Sequence, residues 1–135
     1  MANLGAAVTD THALLFHAGG GRALGAKAAA HFRAADQGDA IIYVPMAVLI
    51  EVTYLARVGR GRLRVPVDTF VNTLFANSSY QPLDLTLEQL LVANELRINR
   101  DPYDASIVAA AAVLGLPLIT RDAAIVDSKA VKVLW

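Results

Sequence analysis

The sequence of 135 residues contains no cysteine, which excludes disulfides and thiolate-bound metals and fits a reducing compartment. It also lacks an uninterrupted apolar run of the roughly 18 residues that a membrane span needs. The longest candidate, residues 40–58, is broken by Pro45, Glu51 and Arg57. The N-terminal residues lack the basic start and apolar stretch of a signal peptide. These absences predict a cytoplasmic protein with no membrane association.

Other absences narrow the possible chemistry. Lys and Arg number 12, as do Asp and Glu, so the zero net charge does not indicate nucleic-acid binding by the whole surface. His12, His17 and His31 do not have the spacing of a zinc site. The glycine run at residues 19–21 lacks the Lys and Ser/Thr that complete a phosphate-binding P-loop, so it predicts a flexible turn. Ser106 has no recognisable His/Asp partners for nucleophilic catalysis.

What the sequence has in excess is apolar side chains, at 56% of residues. A chain of this length suits one domain, so residues 1–135 are predicted to form a single domain. It can bury on the order of two thirds of its unfolded surface. The excess of apolar residues also indicates a surface that an oligomer or a partner covers.

Apolar strand-like segments alternate with helix-like segments, which favours an α/β fold with a parallel sheet. The predicted strands are residues 4–9, 40–44, 80–85, 117–120 and 131–134. Helices are predicted over residues 23–35, 45–57, 66–76, from 86 onward after a capping box, and 101–114. The last of these is apolar on almost every side, so we expect it to be central.

A few carboxylates stand where a charge is costly. Asp10, Glu51, Asp104 and Asp122 each lie in or beside a strongly apolar segment. Asp10 and Asp122 follow predicted strands, and ligands of open parallel sheets bind beyond the carboxyl ends of strands. Oxygen donors without thiolates suit a hard cation such as Mg²⁺ or Mn²⁺. The pattern therefore predicts a shared cation site that serves phosphoryl chemistry.

Each carboxylate also has a structural interpretation. Asp10 and Asp101 are well placed as helix N-caps, and Asp104 would then complement the dipole of the same first turn. Asp122 suits the cap of a short turn. Glu51 is hardest to explain without a partner, because it projects from an apolar helix face; a buried salt bridge to a distant Arg is the alternative.

One basic cluster follows the helix that carries Glu51. Arg57, Arg60 and Arg62 alternate with glycine and precede Arg64. They form either a cationic rim for a phosphate backbone or a solvated helix end, where cations suit the dipole. His12 lies next to the predicted site and either contacts substrate or has a packing or surface role.

Four sequence pieces carry a family resemblance. They are VTDTHALL at 8–15, LIEV at 49–52, RDPYD at 100–104 and LPLITRD at 116–122. In order and spacing they resemble the PIN-domain nucleases, specifically the VapC-like toxins of toxin–antitoxin pairs. The resemblance implies a three-layer α/β/α sandwich with a mainly parallel five-stranded sheet. It also implies cleavage of single-stranded RNA, a cognate antitoxin and a homodimer.

The resemblance also assigns residues. It implies that Mg²⁺ or Mn²⁺ is held by the acidic positions Asp10, Glu51, Asp104 and Asp122. It makes Asp101 an accessory acid and Thr120 an accessory hydroxyl. Two departures affect substrate contacts: many relatives have Arg where this chain has Ala105, and a Ser or Thr is missing from residues 44–48.

Three hypotheses follow for function. The leading one is a metal-dependent endoribonuclease, in which Arg57, Arg60, Arg62 and His12 contact RNA. A second is a catalytically silent binding module whose acidic pocket is occupied by a partner. A third is an aspartyl-phosphate phosphatase with Asp10 as nucleophile, but that chemistry favours a second acid two residues on, where His12 stands.

Overall fold

The computed structural model describes residues 5–61 and 63–135, and in them five strands alternate with seven helices. The strands are β1 (Gly5–Thr9), β2 (Ala40–Pro45), β3 (Tyr80–Leu83), β4 (Leu118–Ile119) and β5 (Val133–Leu134). The helices are α1 (Thr11–Ala18), α2 (Ala26–Asp36), α3 (Met46–Arg57), α4 (Val67–Ala76), α5 (Leu87–Leu96), α6 (Pro102–Leu114) and α7 (Ala123–Ser128).

The described strands form one sheet in the order β3-β2-β1-β4-β5, and every pairing is parallel. The central strand is β1, in which Val8 pairs with Tyr43 on one side and with Leu118 on the other. Helices cover the sheet in an α/β/α arrangement, as the sequence predicted. The carboxyl ends of β1 and β4 are therefore neighbours.

The core confirms that α6 is central. Its residues Ile107–Ala111 are all buried, and the helix packs against β1, α3 and α5. Small alanine side chains allow the helix to approach the sheet closely, while Ile107 and Val108 fill the remaining volume. This packing fixes the first turn of α6, which carries Asp104.

Several element bounds differ from the prediction. Leu4 lies outside the described residues, β3 ends at Leu83, and β4 and β5 contain only two residues each. Parallel strands last only while a neighbour supplies ladder hydrogen bonds, and β5 at the sheet edge has β4 alone. The structure also contains α7, where the sequence predicted a short turn after Asp122.

The start of α2 shows why it begins three residues later than predicted. Its N-cap Gly25 has no capping side chain, and the carbonyl of Trp135 instead accepts hydrogen bonds from the N–H groups of Lys27 and Ala28, each at 3.0 Å. A Cβ on Gly25 would lie 2.2 Å from that carbonyl oxygen. Only glycine therefore permits this approach of the C-terminal segment to α2.

Some large apolar side chains are exposed on α3 and α5. They include Ile50 and Tyr54 on α3, Val58 at its C-cap, and Leu87, Leu90 and Leu91 on α5. Leu87 is the most exposed, at 71%. No helix in the described part of the chain combines the length and apolar character needed to cross a membrane.

Candidate active site

The carboxyl ends of β1 and β4 open into a cavity of about 390 Å³. Four separate parts of the chain contribute carboxylates to its wall. The lining residues are Asp10, Thr11, His12, Glu51, Asp101, Asp104, Arg121 and Asp122. We call this space the acidic cavity. The structure thus brings together all five of the carboxylates that the sequence singled out.

Asp10 is the most buried of these acids, with 9% of its surface exposed. It is the N-cap of α1, and its Oδ1 accepts a hydrogen bond of 2.8 Å from the N–H of Ala13. Burial raises the pKa of Asp10, against the lowering effect of hydrogen bonds from Thr120 and Ala13. The hydrogen bonds therefore offset only part of the free energy that burial adds to the ionisation of Asp10.

Thr120 connects Asp10 to Asp122. Its buried hydroxyl hydrogen-bonds Asp10 and accepts the N–H of Asp122 at 3.1 Å. Asp122 in turn caps α7, since its Oδ1 accepts the N–H of Ile125 at 3.1 Å. The hydroxyl thus contacts the side chain of Asp10 and the backbone of Asp122, which follow neighbouring strands.

Glu51 lies midway along α3 and has a neutral partner. The hydroxyl of Thr11 donates a hydrogen bond of 2.5 Å to its Oε1. The hypothesis of a distant Arg partner is therefore replaced by a hydroxyl at the start of α1. Glu51 also lies at the border of the apolar face rather than within it, because Val48 is buried while Tyr54 is 54% exposed.

The first turn of α6 supplies two acids with different surroundings. Asp101 is its N-cap, as predicted, and accepts the N–H groups of Tyr103 and Asp104 at 2.8 and 3.3 Å. Oδ2 of Asp104 accepts a hydrogen bond of 2.9 Å from the side-chain amide of Asn99. Burial is the main cause that raises the pKa of Asp104 to about 6. The hydrogen bond from Asn99 lowers this pKa, and repulsion from nearby carboxylates raises it further.

The carboxylates of the acidic cavity also affect one another's pKa values. Asp101, Asp122 and Glu51 each raise the pKa of Asp104, and Asp122 also raises that of Asp10. His12 and Arg121 line the same cavity, and His12 lowers the pKa of Asp10, but the pKa values of Asp10 and Asp104 remain raised. Further positive charge among the carboxylates would relieve the repulsion. The cavity is thus electrostatically suited to a cation.

The donor set fits a hard divalent metal in its chemistry, because all the acidic donors are oxygens. In residues 5–61 and 63–135, however, no group of three or more His, Asp or Glu side chains is already arranged to hold an ion. Two of the carboxylates accept hydrogen bonds from protein groups instead: Glu51 from Thr11, and Asp104 from Asn99. Both side chains nevertheless line the same acidic cavity.

The predicted basic residues separate in the structure. Arg57 lines a cavity of about 520 Å³ that contains none of the acids. Arg60 lines a different cavity, and Arg62 lies outside the described residues. His12 is exposed and lines the acidic cavity, as expected from its position beside Asp10.

Sequence reasoning missed four polar groups at or near the site. Thr11 and Asn99 hold Glu51 and Asp104, while Arg121 lines the acidic cavity. Arg22 lies in the cavity of Arg60. Only Asn99 had a signal in the local sequence, because an Asn two residues before Asp101 suits an Asx turn. In the structure its side chain accepts the N–H of Asp101, as that turn requires.

A parallel sheet with clustered carboxylates beyond its central strands is an architecture for metal-assisted chemistry. The PIN domain family profile matches residues 7–130. The chain therefore belongs to the PIN domain family, whose members are generally nucleases and typically use divalent metals. No curated protein sequence matches the chain significantly.

Solved structures share this fold at low sequence identity. VapBC2 from Rickettsia felis, bound to a promoter DNA fragment, has a TM-score of 0.67 at 13% identity, covering 95% of this chain and 96% of that one. DNA-bound VapBC from Salmonella typhimurium has a TM-score of 0.67 at 16% identity, with 93% and 94% covered. A toxin–antitoxin complex from Klebsiella pneumoniae has a TM-score of 0.56 at 20% identity, with 86% of each chain covered.

Proposed function

We propose that this chain is a metal-dependent endoribonuclease that cleaves single-stranded RNA, and that it is the toxin of a toxin–antitoxin pair. The observation that carries the proposal is the convergence of Asp10, Glu51, Asp104 and Asp122 on one cavity. Membership of the PIN domain family supports the nuclease activity. The fold shared with VapBC complexes supports the toxin role.

Asp10 and Asp104 are the proposed chief ligands of Mg²⁺ or Mn²⁺, with Glu51 and Asp122 completing the set. A bound ion of this kind supplies an activated water and stabilises the leaving oxygen of a phosphodiester. The reaction needs no covalent intermediate on the protein.

The chain's own groups prepare this site. Thr11 orients Glu51, while Thr120 hydrogen-bonds the side chain of Asp10 and the backbone N–H of Asp122. Asn99 holds Oδ2 of Asp104 toward its amide. Because the pKa of Asp104 is about 6, part of the population retains this proton near neutral pH and must release it before the carboxylate can act as a ligand.

A catalytically silent binding module is the second candidate. The observation that favours it is that Glu51 and Asp104 are held by Thr11 and Asn99 rather than already arranged for an ion. In such a module, a cationic side chain of a partner would occupy the acidic cavity. Calorimetric titration with Mn²⁺ separates the two, since a nuclease site binds the ion and a silent scaffold need not.

The nuclease proposal is tested by cleavage of single-stranded RNA with Mn²⁺ or Mg²⁺. Asp10→Ala should abolish cleavage, and Asp10→Asn should do so while keeping an oxygen that can cap α1. Asp127→Asn is the matched control, because Asp127 is exposed on α7 and does not line the acidic cavity. Undiminished cleavage by pure Asp10→Ala protein would refute the assignment.

We further propose that residues 1–135 act as one unit, that the protein is cytoplasmic, and that it pairs with a cognate antitoxin and with a second copy of itself. Exposed apolar side chains on α3 and α5 supply surfaces for such contacts. Light scattering on the purified chain, alone and with the product of a neighbouring antitoxin gene, measures both associations.

A further inference from the structure

A second cavity adjoins the acidic cavity and has the opposite charge. It measures about 560 Å³ and contains side chains of Arg22, Arg60 and Arg64. No carboxylate is among its described lining residues. His12 lines both spaces, so they meet at this side chain. We call the second space the cationic cavity.

Two distant chain segments supply these arginines. Arg22 follows the glycine run between α1 and α2, where Gly20 and Gly21 have φ values of 106° and 80°. Side chains other than glycine rarely adopt such angles, so the run lets the chain turn sharply at this point. Arg60 and Arg64 belong to the segment after α3. The glycine run therefore belongs to the segment that brings Arg22 to the same cavity as the other two arginines.

The cationic cavity also has an apolar wall, formed by Leu15, Phe16 and Leu55. Guanidinium groups bind phosphate through paired hydrogen bonds, whereas an apolar wall suits the flat face of a base. The volume falls within the range of about 300–1,000 Å³ that small-molecule sites have. A nucleotide combines both features in a ligand of this size.

Arg121 provides a second connection between the two cavities. It lines the acidic cavity, and its guanidinium lies 4.8 Å from the ring centroid of Phe16 in the cationic one. A strand of RNA would meet repulsion at the acidic cavity alone, because both carry negative charge. An adjoining positive surface offsets this repulsion and holds the backbone in place.

We propose that the cationic cavity binds the nucleotide flanking the scissile phosphodiester of single-stranded RNA. Arg22, Arg60 and Arg64 hold its phosphate, and the apolar wall packs against its base. The inference rests on the proposed nuclease function. It adds Arg22 and Arg64 to the residues that contact RNA, and it does not include Arg57, which lines a different cavity.

The test measures RNA binding without cleavage. A labelled single-stranded RNA of about 12 nucleotides, within the usual site sizes of single-strand binders, is titrated in chelator with the full chain. Arg22→Ala and Arg64→Ala should each raise Kd roughly tenfold and lower the salt dependence of log K by about 0.7. Arg33→Ala is the control, since Arg33 is exposed on α2 and lines neither cavity.

Unchanged affinity in both variants, or a loss no larger than in Arg33→Ala, overturns the proposal. Melting temperatures confirm that the variants fold. A mononucleotide should displace the RNA at lower concentration than inorganic phosphate does, because only the former uses the apolar wall. Equal competition by the two, or stronger displacement by polyglutamate, would also overturn the assignment to a nucleotide.

Cleavage assays with Mn²⁺ separate this inference from the function on which it rests. In an active protein, Arg22→Ala and Arg64→Ala should raise KM severalfold with kcat little changed. If the wild type binds RNA through these arginines but never cleaves it, the nuclease proposal fails, and the cationic cavity is then a binding site for single-stranded RNA rather than for a nucleotide beside a scissile bond. If the wild type cleaves and both variants match it in Kd and KM, the cavity assignment alone fails.

Discussion

Thr11 donates its hydroxyl hydrogen bond to Glu51, which lies 40 residues further along the chain. Thr11 is the first residue of α1 and is 1% exposed, and Glu51 lies in the middle of α3. The pair joins two walls of the acidic cavity. It also gives a glutamate beside apolar residues a polar partner without a counter-ion.

Removing the hydroxyl should affect both stability and activity. Thr11→Val keeps the shape of the side chain but leaves Glu51 without its donor, so we expect a loss of about 1 kcal/mol in the free energy of unfolding. The kcat of metal-dependent RNA cleavage should fall because Glu51 is no longer oriented. Urea unfolding and steady-state kinetics measure the two effects.

Thr11→Ser is the matched control, because it restores a hydroxyl at the same position. It should recover most of the lost kcat. Equal activity in Thr11→Val and the wild type would mean that Glu51 needs no orientation by this residue.

Divalent metal should stabilise the folded chain. Binding to the native state alone contributes about 2.7 kcal/mol at a hundredfold excess over Kd, so saturating Mn²⁺ should raise Tm by several degrees. Asp10→Asn should lose most of this rise, while Asp127→Asn should keep it. A wild-type Tm that does not respond to Mn²⁺ would argue against the metal site, whatever the RNA assays show.

In metal-free protein, Asp104 should make stability depend on pH. Its pKa is 3.8 in the unfolded chain and about 6 in the native state, so the native state binds its proton more tightly. This contribution is fully present below pH 3.8 and is lost as the pH rises through about 6. Because the side chain is only partly buried, we expect a change on the order of 1 kcal/mol.

Urea unfolding in chelator from pH 4 to pH 7 measures this slope. Asp104→Asn has no proton to lose, so its free energy of unfolding should depend less on pH than that of the wild type. Part of the pH dependence should remain, because the pKa of Asp10 is also raised. Superimposable curves would show that Asp104 is not perturbed in the native state.

Gly25→Ala should destabilise the fold by about 1–3 kcal/mol, because the new Cβ would meet the carbonyl of Trp135 at 2.2 Å. Relief of the clash would break the hydrogen bonds to Lys27 and Ala28. Gly19→Ala is the control, since its Cβ would have no contact closer than 3.4 Å and its φ is −86°. Thermal unfolding compares the two, and equal Tm values would contradict the role assigned to Gly25.

Local patterns in the sequence predicted much of the fold. The caps Thr86 and Asp101, the alternation of strands and helices, and the burial of α6 all follow from rules that act over a few residues. Asp10 and Asp122 could be placed near each other because each follows a strand, and the carboxyl ends of parallel strands lie at the same edge of the sheet.

Contacts between distant segments could not be read in the same way. The partner of Glu51 is Thr11, and nothing in the local sequence of either residue indicates the pairing. The separation of Arg57 from Arg60 depends on how α3 ends, and the position of Arg22 depends on two glycines with positive φ. The bounds of β4 and β5 depend on neighbouring strands rather than on their own residues.

The capping role of three aspartates affects how relatives of this chain should be compared. Asp10, Asp101 and Asp122 each start a helix, so a relative without the proposed nuclease activity would still benefit from keeping them. Glu51 and Asp104 cap no helix, and each accepts a side-chain hydrogen bond instead, from Thr11 and Asn99. An inactive branch of the lineage should therefore be recognised by loss of Glu51 or Asp104 while the three capping aspartates persist.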